Sequence, residues 1–190
     1  IPNHTFNDGD SSFPNAVAPQ AVTYSITSSP EVAAMKTNLS LSADNAVLLN
    51  GVKIDILAAG CFGVGNGRVG CGDINQPWRY DPLSPDSGFR VDTHNAHTQP
   101  DGSYHYHGPP NALFSNTSES ASPVVGFAAD GFPIYGSFIP NPEAAEGGPS
   151  FREVQSSYQL RSGSRPDGPG DPGGSYDGTF RDDYEYVEGS

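Results

Sequence analysis

The sequence predicts an all-β fold: a single compact β-sandwich or barrel-like domain with long loops rich in glycine and proline. Three observations lead there. With 23 Gly and 18 Pro in 190 residues, long uninterrupted helices are ruled out and short strands joined by turns are favoured. Segments such as Val22-Thr-Tyr24-Ser-Ile26 and Val52-Lys-Ile54-Asp-Ile56 alternate apolar with polar residues, the period of a half-buried strand. Turn dipeptides at Asn50-Gly51, Asp101-Gly102 and Asp130-Gly131 separate such segments. The length suits one domain with a real core, divided into an N-terminal arm over residues 1–20 and a β domain over residues 21–190.

The arm shows neither strand nor helix period, and its His4 reaches a distant site only if the arm folds back. Residues 21–27 form the first expected strand, stopped by Pro30; residues 32–36 allow at most one helical turn. Residues 39–42 and 47–49 bracket Asp44-Asn45 as a hairpin, and Asn50-Gly51 joins 47–49 to 52–56 through a type I′ turn. Cys61 and Cys71 enclose a glycine-rich loop and are expected to pair, stabilising the fold by about 2–3 kcal/mol in the loop-entropy picture. Their spacing is not the short C-x-x-C of zinc or redox motifs. Trp78, the only tryptophan, is either an anchor for that loop or a stacking platform for sugars.

Further on, residues 124–129 and 133–136 read as strands around Asp130-Gly131. Asp130 either closes an Asx-turn or serves a histidine, as its hydrogen-bond acceptor or as a general base. A loop at 139–150, a strand at 154–160, a long excursion at 163–174 and a final strand at 176–186 complete the chain, with Tyr184 and Tyr186 on one face. Asp167, Asp171, Asp177, Asp182 and Asp183 match no calcium-loop spacing and read as a solvated acidic surface.

A formal charge of -13 and a pI near 4.4 exclude nucleic acid and anionic membranes as partners, and they concentrate cations. No apolar run approaches the 18 or so residues of a membrane span. Few lysines, one Met and a disulfide point to a secreted, extracellular or periplasmic home. The opening at Ile1 without a Met suggests a mature or trimmed chain.

Four of the five histidines fall at His94, His97, His105 and His107. Pro100-Asp101-Gly102 has the residues of a three-residue hairpin loop: a type I turn followed by Gly at positive φ. That loop sets Gln99 opposite Ser103, Thr98 opposite Tyr104 and His97 opposite His105. Side chains alternate along a strand, so His97, His105 and His107 share one face while Tyr104 and Tyr106 take the other. A two-residue Asp101-Gly102 loop would instead set His97 against Tyr106 and destroy the convergence. His94 has the wrong parity and joins as a fourth ligand only if its strand is irregular. The bland alternative is four histidines hydrogen-bonded in a polar loop without an ion. Neutral imidazoles suit a transition metal, with a copper ion favoured narrowly over zinc because tyrosines flank the site.

Asp101-Gly-Ser-Tyr104-His105-Tyr106-His107, followed by Gly126-Phe-Ala-Ala-Asp130-Gly131-Phe132-Pro133-Ile134-Tyr135-Gly136, resembles the YHYH family of secreted and cell-surface proteins. Leu49-Asn50-Gly51-Val52 is similar to its entry strand and residues 176–186 to its closing segment, so the resemblance runs from about residue 47 to 186. It implies no particular activity. It also implies a continuation through an Asp-Glu-Cys-Asn-Gly-like segment to a second Tyr-His-Tyr, which would add a ligand or a covering strand after Ser190.

Three functions follow from these residues. The first is a secreted metal-binding protein holding its ion at the histidine hairpin. An extracellular metalloenzyme, oxidative or hydrolytic, with a coordination position open to a small-molecule substrate is the second. A carbohydrate-binding or adhesive module, resting on aromatic residues alone, is the third. No Gly-x-Ser-x-Gly is present to support a serine nucleophile.

Overall fold

Asn50-Gly51 and Pro100-Asp101-Gly102 each close a hairpin, and the strands they join make the greater part of a six-stranded sheet. A computed structural model describes residues 5–8, 11–115, 117, 119–144 and 146–188, with side chains from residue 15 onward; His4 lies outside the described residues. The strands are β1 (Thr5–Asp8), β2 (Ser11–Ala16), β3 (Ala46–Leu48), β4 (Lys53–Ile54), β5 (Ala96–Thr98), β6 (Tyr104–Tyr106), β7 (Val124–Ala128), β8 (Pro133–Tyr135), β9 (Phe138–Pro140), β10 (Phe151–Glu153), β11 (Tyr158–Leu160) and β12 (Tyr184–Tyr186). The large sheet runs β5-β6-β4-β3-β7-β8 and is antiparallel except where β4 meets β6. Three two-stranded ribbons, β1-β2, β9-β10 and β11-β12, complete the pairing. The fold is all-β, interrupted among the described residues only by short 3-10 turns at Pro85–Ser87 and Arg181–Asp183.

The apolar core lies against the middle of the large sheet. Ala46, Leu48, Val52, Ile54, Ala96, Tyr106 and Val125 are buried together, with Tyr104, Leu113, Phe114 and Ile134 packed against them. Burying each of the larger aliphatic side chains contributes about 1.5–3 kcal/mol. The alternation of β3 and β5, buried at the first and third residues, is what turns these apolar residues to one face.

Several expectations change. Residues 21–27 form no strand: Val22 is exposed, and Tyr24 reaches across to donate to Asp44 at 3.0 Å. Alternation describes a strand's faces but provides no neighbour to pair with. Asp44-Asn45 is not a turn between strands, and 39–42 is unpaired. Asn45 instead continues the sheet: its carbonyl accepts from Ala129, and its side-chain oxygen accepts from Ile56, both at 2.9 Å. The Asn50 hairpin forms, but through a three-residue loop in which Gly51 donates to the Leu48 carbonyl at 2.9 Å. A type I′ turn needs positive φ at both central residues, and here Gly51 alone has it, at 80°.

The arm is not structureless either. β1 and β2 pair, Val17 is buried, and Ala18 donates to the Gly102 carbonyl at 3.0 Å, seating the arm on the tip of the histidine hairpin.

The acidic segment near the C-terminus is only in part a solvated surface: Asp167 and Asp177 are exposed, Asp171 and Asp182 are half-buried, and Asp183 is buried. Arg165 is held by Asp183, which is fully buried, at 2.7 and 2.6 Å, and also pairs with Asp177. Asp171 accepts the Trp78 indole N–H and Asp182 accepts the Trp78 amide, each at 2.9 Å. Trp78 is thus the buried anchor, edge-on to Phe180 at 5.9 Å, and presents no platform to a sugar. Cys61 and Cys71 are joined as a disulfide.

Candidate metal centre

Local turn chemistry sets the register of the site. Gly102 sits at φ 82°, a conformation costly for any residue with a Cβ, and donates to the Gln99 carbonyl at 2.9 Å. Gln99 in turn donates to Ser103 at 2.9 Å, and the Asp101 side chain accepts from Ser103, also at 2.9 Å. Pairing follows as His97 with His105, Thr98 with Tyr104 and Ala96 with Tyr106. Tyr106 enters the apolar core on one face, with Tyr104 edge-on to it at 5.5 Å. The histidines take the other face.

His107 follows the end of β6 and is held by its amide donating to the Asn95 carbonyl at 2.8 Å. Asn95 adopts positive φ, 63°, one of the few non-glycine residues that tolerates it, and its side chain ties to the Pro109 carbonyl at 2.8 Å. That bend ends the regular strand before His94. Asp92 then fastens the bend: one carboxylate oxygen accepts from the amides of His94 and Ala96 at 2.9 and 3.1 Å, and the other accepts from the Tyr104 hydroxyl at 2.5 Å.

The outcome is a tight triad. The Nε2 atom of His107 lies 3.1 Å from Nε2 of His105 and 3.1 Å from Nε2 of His97. The three rings stand 4.7 Å apart, centroid to centroid, and are steeply inclined to one another. One ligating atom from each lies within 4.8 Å of the others. His94 is not in this group; it sits in the turn before β5, with a buried Nδ1 that has no partner in hydrogen-bonding geometry. Asp130 is exposed and closes an Asx-turn on Phe132 at 3.4 Å, so it serves no histidine.

Hydrogen bonds on the far side of the rings determine which nitrogens carry protons. His97 Nδ1 lies 2.7 Å from the Arg90 carbonyl and His105 Nδ1 lies 3.4 Å from that of Ser103. A carbonyl only accepts, so each Nδ1 carries the hydrogen and each Nε2 turns a bare lone pair inward. His107 Nδ1 is buried without a formed hydrogen bond, although the Asp55 backbone lies close enough to favour the charged ring. A proton on His107 Nε2 could satisfy one of its two 3.1 Å neighbours but not both. A cation at the centre satisfies all three.

Electrostatics agree. Burial, reinforced by the neighbouring imidazoles, pushes His107 down to about 2 and His105 down to about 4, and burial also lowers His97. The rings are therefore neutral at physiological pH, the form that ligates metal. His105 is 1% exposed and His107 7%, yet all three line one wall of a cavity of about 600 Å³.

The family model for YHYH proteins matches residues 23–190. The chain belongs to the YHYH protein family. In this member, the Tyr104-His105-Tyr106-His107 motif is β6 and the residue after it, with its tyrosines toward the core and its histidines meeting His97. No curated protein and no solved structure is similar enough to this chain to register as a match. No helix among the described residues is long and apolar enough to cross a membrane.

Sequence reasoning missed Asp92, Asn95 and the Arg90 carbonyl. An Asp two residues before a histidine-containing turn is a recognisable Asx signal, but nothing local announces a backbone carbonyl behind a ring.

Proposed function

We propose that this YHYH protein holds one transition-metal ion on Nε2 of His97, His105 and His107, in an extracytoplasmic setting. The observation that carries the reading is the pair of 3.1 Å Nε2 contacts, with the His97 and His105 tautomers fixed from behind. At a metal–nitrogen distance of about 2.05 Å, nitrogens so spaced subtend an angle of roughly 100°, between octahedral and tetrahedral values. No thiolate competes, because both cysteines are in the disulfide.

Copper and zinc are the ions such a donor set suits. The tyrosine argument for copper lapses, since Tyr104 is bound to Asp92 and Tyr106 is in the core. Copper stays ahead because nitrogen ligands hold Cu(II) more tightly than Zn(II). The disulfide supports an oxidising location, and with it secretion.

A second reading, a metalloenzyme, is favoured by one observation: the triad borders a cavity rather than solid protein, so a three-nitrogen ion would keep a position for water or substrate.

Elemental analysis of protein prepared without a metal-affinity column tests the first reading, with roughly one ion per chain expected. Folded protein that takes up no copper or zinc when offered them would overturn it. An electron paramagnetic signal separates Cu(II) from zinc.

A further inference from the structure

Arg68 and Arg90 line the same 600 Å³ cavity as the three histidines. In a chain with 9 Lys and Arg against 22 Asp and Glu, placing two arginines and a single Asp around one cavity inverts the prevailing charge. Neither forms an ion pair among the described residues, although carboxylates are abundant. Both arginines are exposed, so their charge stays available to an anion that enters the cavity.

Arg68 is also held in place. It rides on the Cys61–Cys71 loop, where the Asn66 side chain accepts from the amides of Arg68 and Val69 at 3.0 and 3.3 Å. The loop folds tightly on itself: a Cβ on Gly60 would fall 2.0 Å from the Gly67 carbonyl oxygen. The Arg68 guanidinium lies over Gly88, 3.5 Å from where a Cβ there would stand, beside the segment that carries Arg90. Arg90 therefore contributes twice, its carbonyl orienting His97 and the residue itself lining the cavity. Asp55 is the one carboxylate among the lining residues, and burial raises its pKa.

We propose that the cavity binds a small organic carboxylate, one oxygen of which occupies the open position on the metal while its negative charge pairs with Arg68 and Arg90. The proposal rests on the metal reading above. Guanidinium forks match carboxylate and phosphate alike. Phosphate would turn oxygens beyond those matched by the metal and the two guanidinium forks toward the Asp55 carboxylate on the wall, which favours the carboxylate.

The test uses the full chain loaded with Co(II), whose visible absorption reports its ligands, and titrates malonate and inorganic phosphate separately. Malonate should alter the cobalt spectrum at saturation, bind more tightly than phosphate and weaken as salt is raised. R68Q should weaken malonate at least tenfold while cobalt affinity, measured by chelator competition, stays within about threefold. R90Q should also weaken malonate, and it carries no expectation of unchanged cobalt affinity because Arg90 backs His97. Malonate binding indifferent to these substitutions would overturn the proposal and leave the metal site standing. Tighter binding of phosphate would overturn the carboxylate assignment. Failure to take up cobalt, copper or zinc would remove the metal reading itself, a result visible before any anion is added.

Discussion

In the Asn50 hairpin, Gly51 donates to Leu48 and Leu48 to Val52, each at 2.9 Å; in the Asp101 hairpin, Gly102 donates to Gln99 and Gln99 to Ser103 at the same distance. The glycines sit at φ 80° and 82°. The Asx contacts match as well, Asn50 accepting from Val52 at 3.0 Å and Asp101 from Ser103 at 2.9 Å. Two hairpins with one loop geometry thus have opposite contents. The first brings Leu48, Val52 and Ile54 into the core; the second brings His97, His105 and His107 together on the face away from it. The loop decides register, and the residues placed in register decide what the hairpin does. Parallel pairing of β4 with β6, Lys53 beside His105, locks the two together.

The largest separation between them should come from truncating one buried residue in each. His105→Ala should lower copper or zinc affinity at least 100-fold, beyond the 10–100-fold loss typical of a supporting group, with chelator competition as the measurement. Leu48→Ala, 3% exposed in the wild type, should cost about 2–5 kcal/mol in urea unfolding and leave metal affinity nearly intact in the folded fraction. If Leu48→Ala also abolished metal binding, the two hairpins would be one cooperative unit.

Acid should separate them next. His107, at about 2, and His105, at about 4, are depressed in the folded state, so the unfolded chain binds protons first as pH falls below about 6.5. Stability of the metal-free protein should be level above that value and fall progressively from pH 6.5 toward 4, with a further decline below. Metal should be released over the same descent, since protons compete for Nε2. A variant with His105→Gln and His107→Gln should show a shallower slope between pH 6.5 and 4, read from unfolding midpoints; an unchanged slope would place the acid sensitivity elsewhere.

The second hairpin was more legible in the sequence than anything around it, for a physical reason. Pro100-Asp101-Gly102 encodes its turn within three residues, and a period-two strand transmits that register outward without help from the rest of the fold. His97 against His105 follows from the turn alone. The stretch at residues 21–27 shows the opposite case: its alternation is as regular, but a strand needs a partner, and β3 is flanked by β4 and β7 instead. Asp183 was unreadable because a carboxylate looks solvated until its cation is located, and Arg165 lies 18 residues away. His94 marks the limit of parity arguments, since the positive φ of Asn95 ends the strand before it.

The two glycines should differ more modestly. Gly51→Ala meets no atom within 4 Å and suffers only its backbone conformation, about 1–2 kcal/mol. Gly102→Ala carries the same strain and also drives a Cβ to 2.4 Å from that of Ala18 and 2.9 Å from its amide nitrogen. Displacing the arm should add about 1–3 kcal/mol and weaken metal binding, whereas Gly51→Ala should spare it. Equal losses in urea unfolding would mean that the arm yields freely.

The smallest loss of metal affinity concerns the tyrosine that backs the triad. Tyr104 donates to Asp92 at 2.5 Å, and the other oxygen of that carboxylate holds the amides of His94 and Ala96 at the start of β5. Tyr104→Phe keeps the ring against Tyr106 and removes only the hydroxyl, leaving a carboxylate 5% exposed with one oxygen less satisfied. A hydrogen bond to a charged group contributes about 1.5–3 kcal/mol, and that loss should appear as reduced stability. Metal affinity should fall by less than about tenfold, because no histidine loses a partner directly. Asn50→Ala removes a neutral bond at the corresponding loop and should cost only about 0.5–1.5 kcal/mol. A Tyr104→Phe protein of unchanged stability that nonetheless binds metal poorly would show that Asp92 acts on the angle of β5 rather than on its cohesion, and would make the hydroxyl a positioning group for His97.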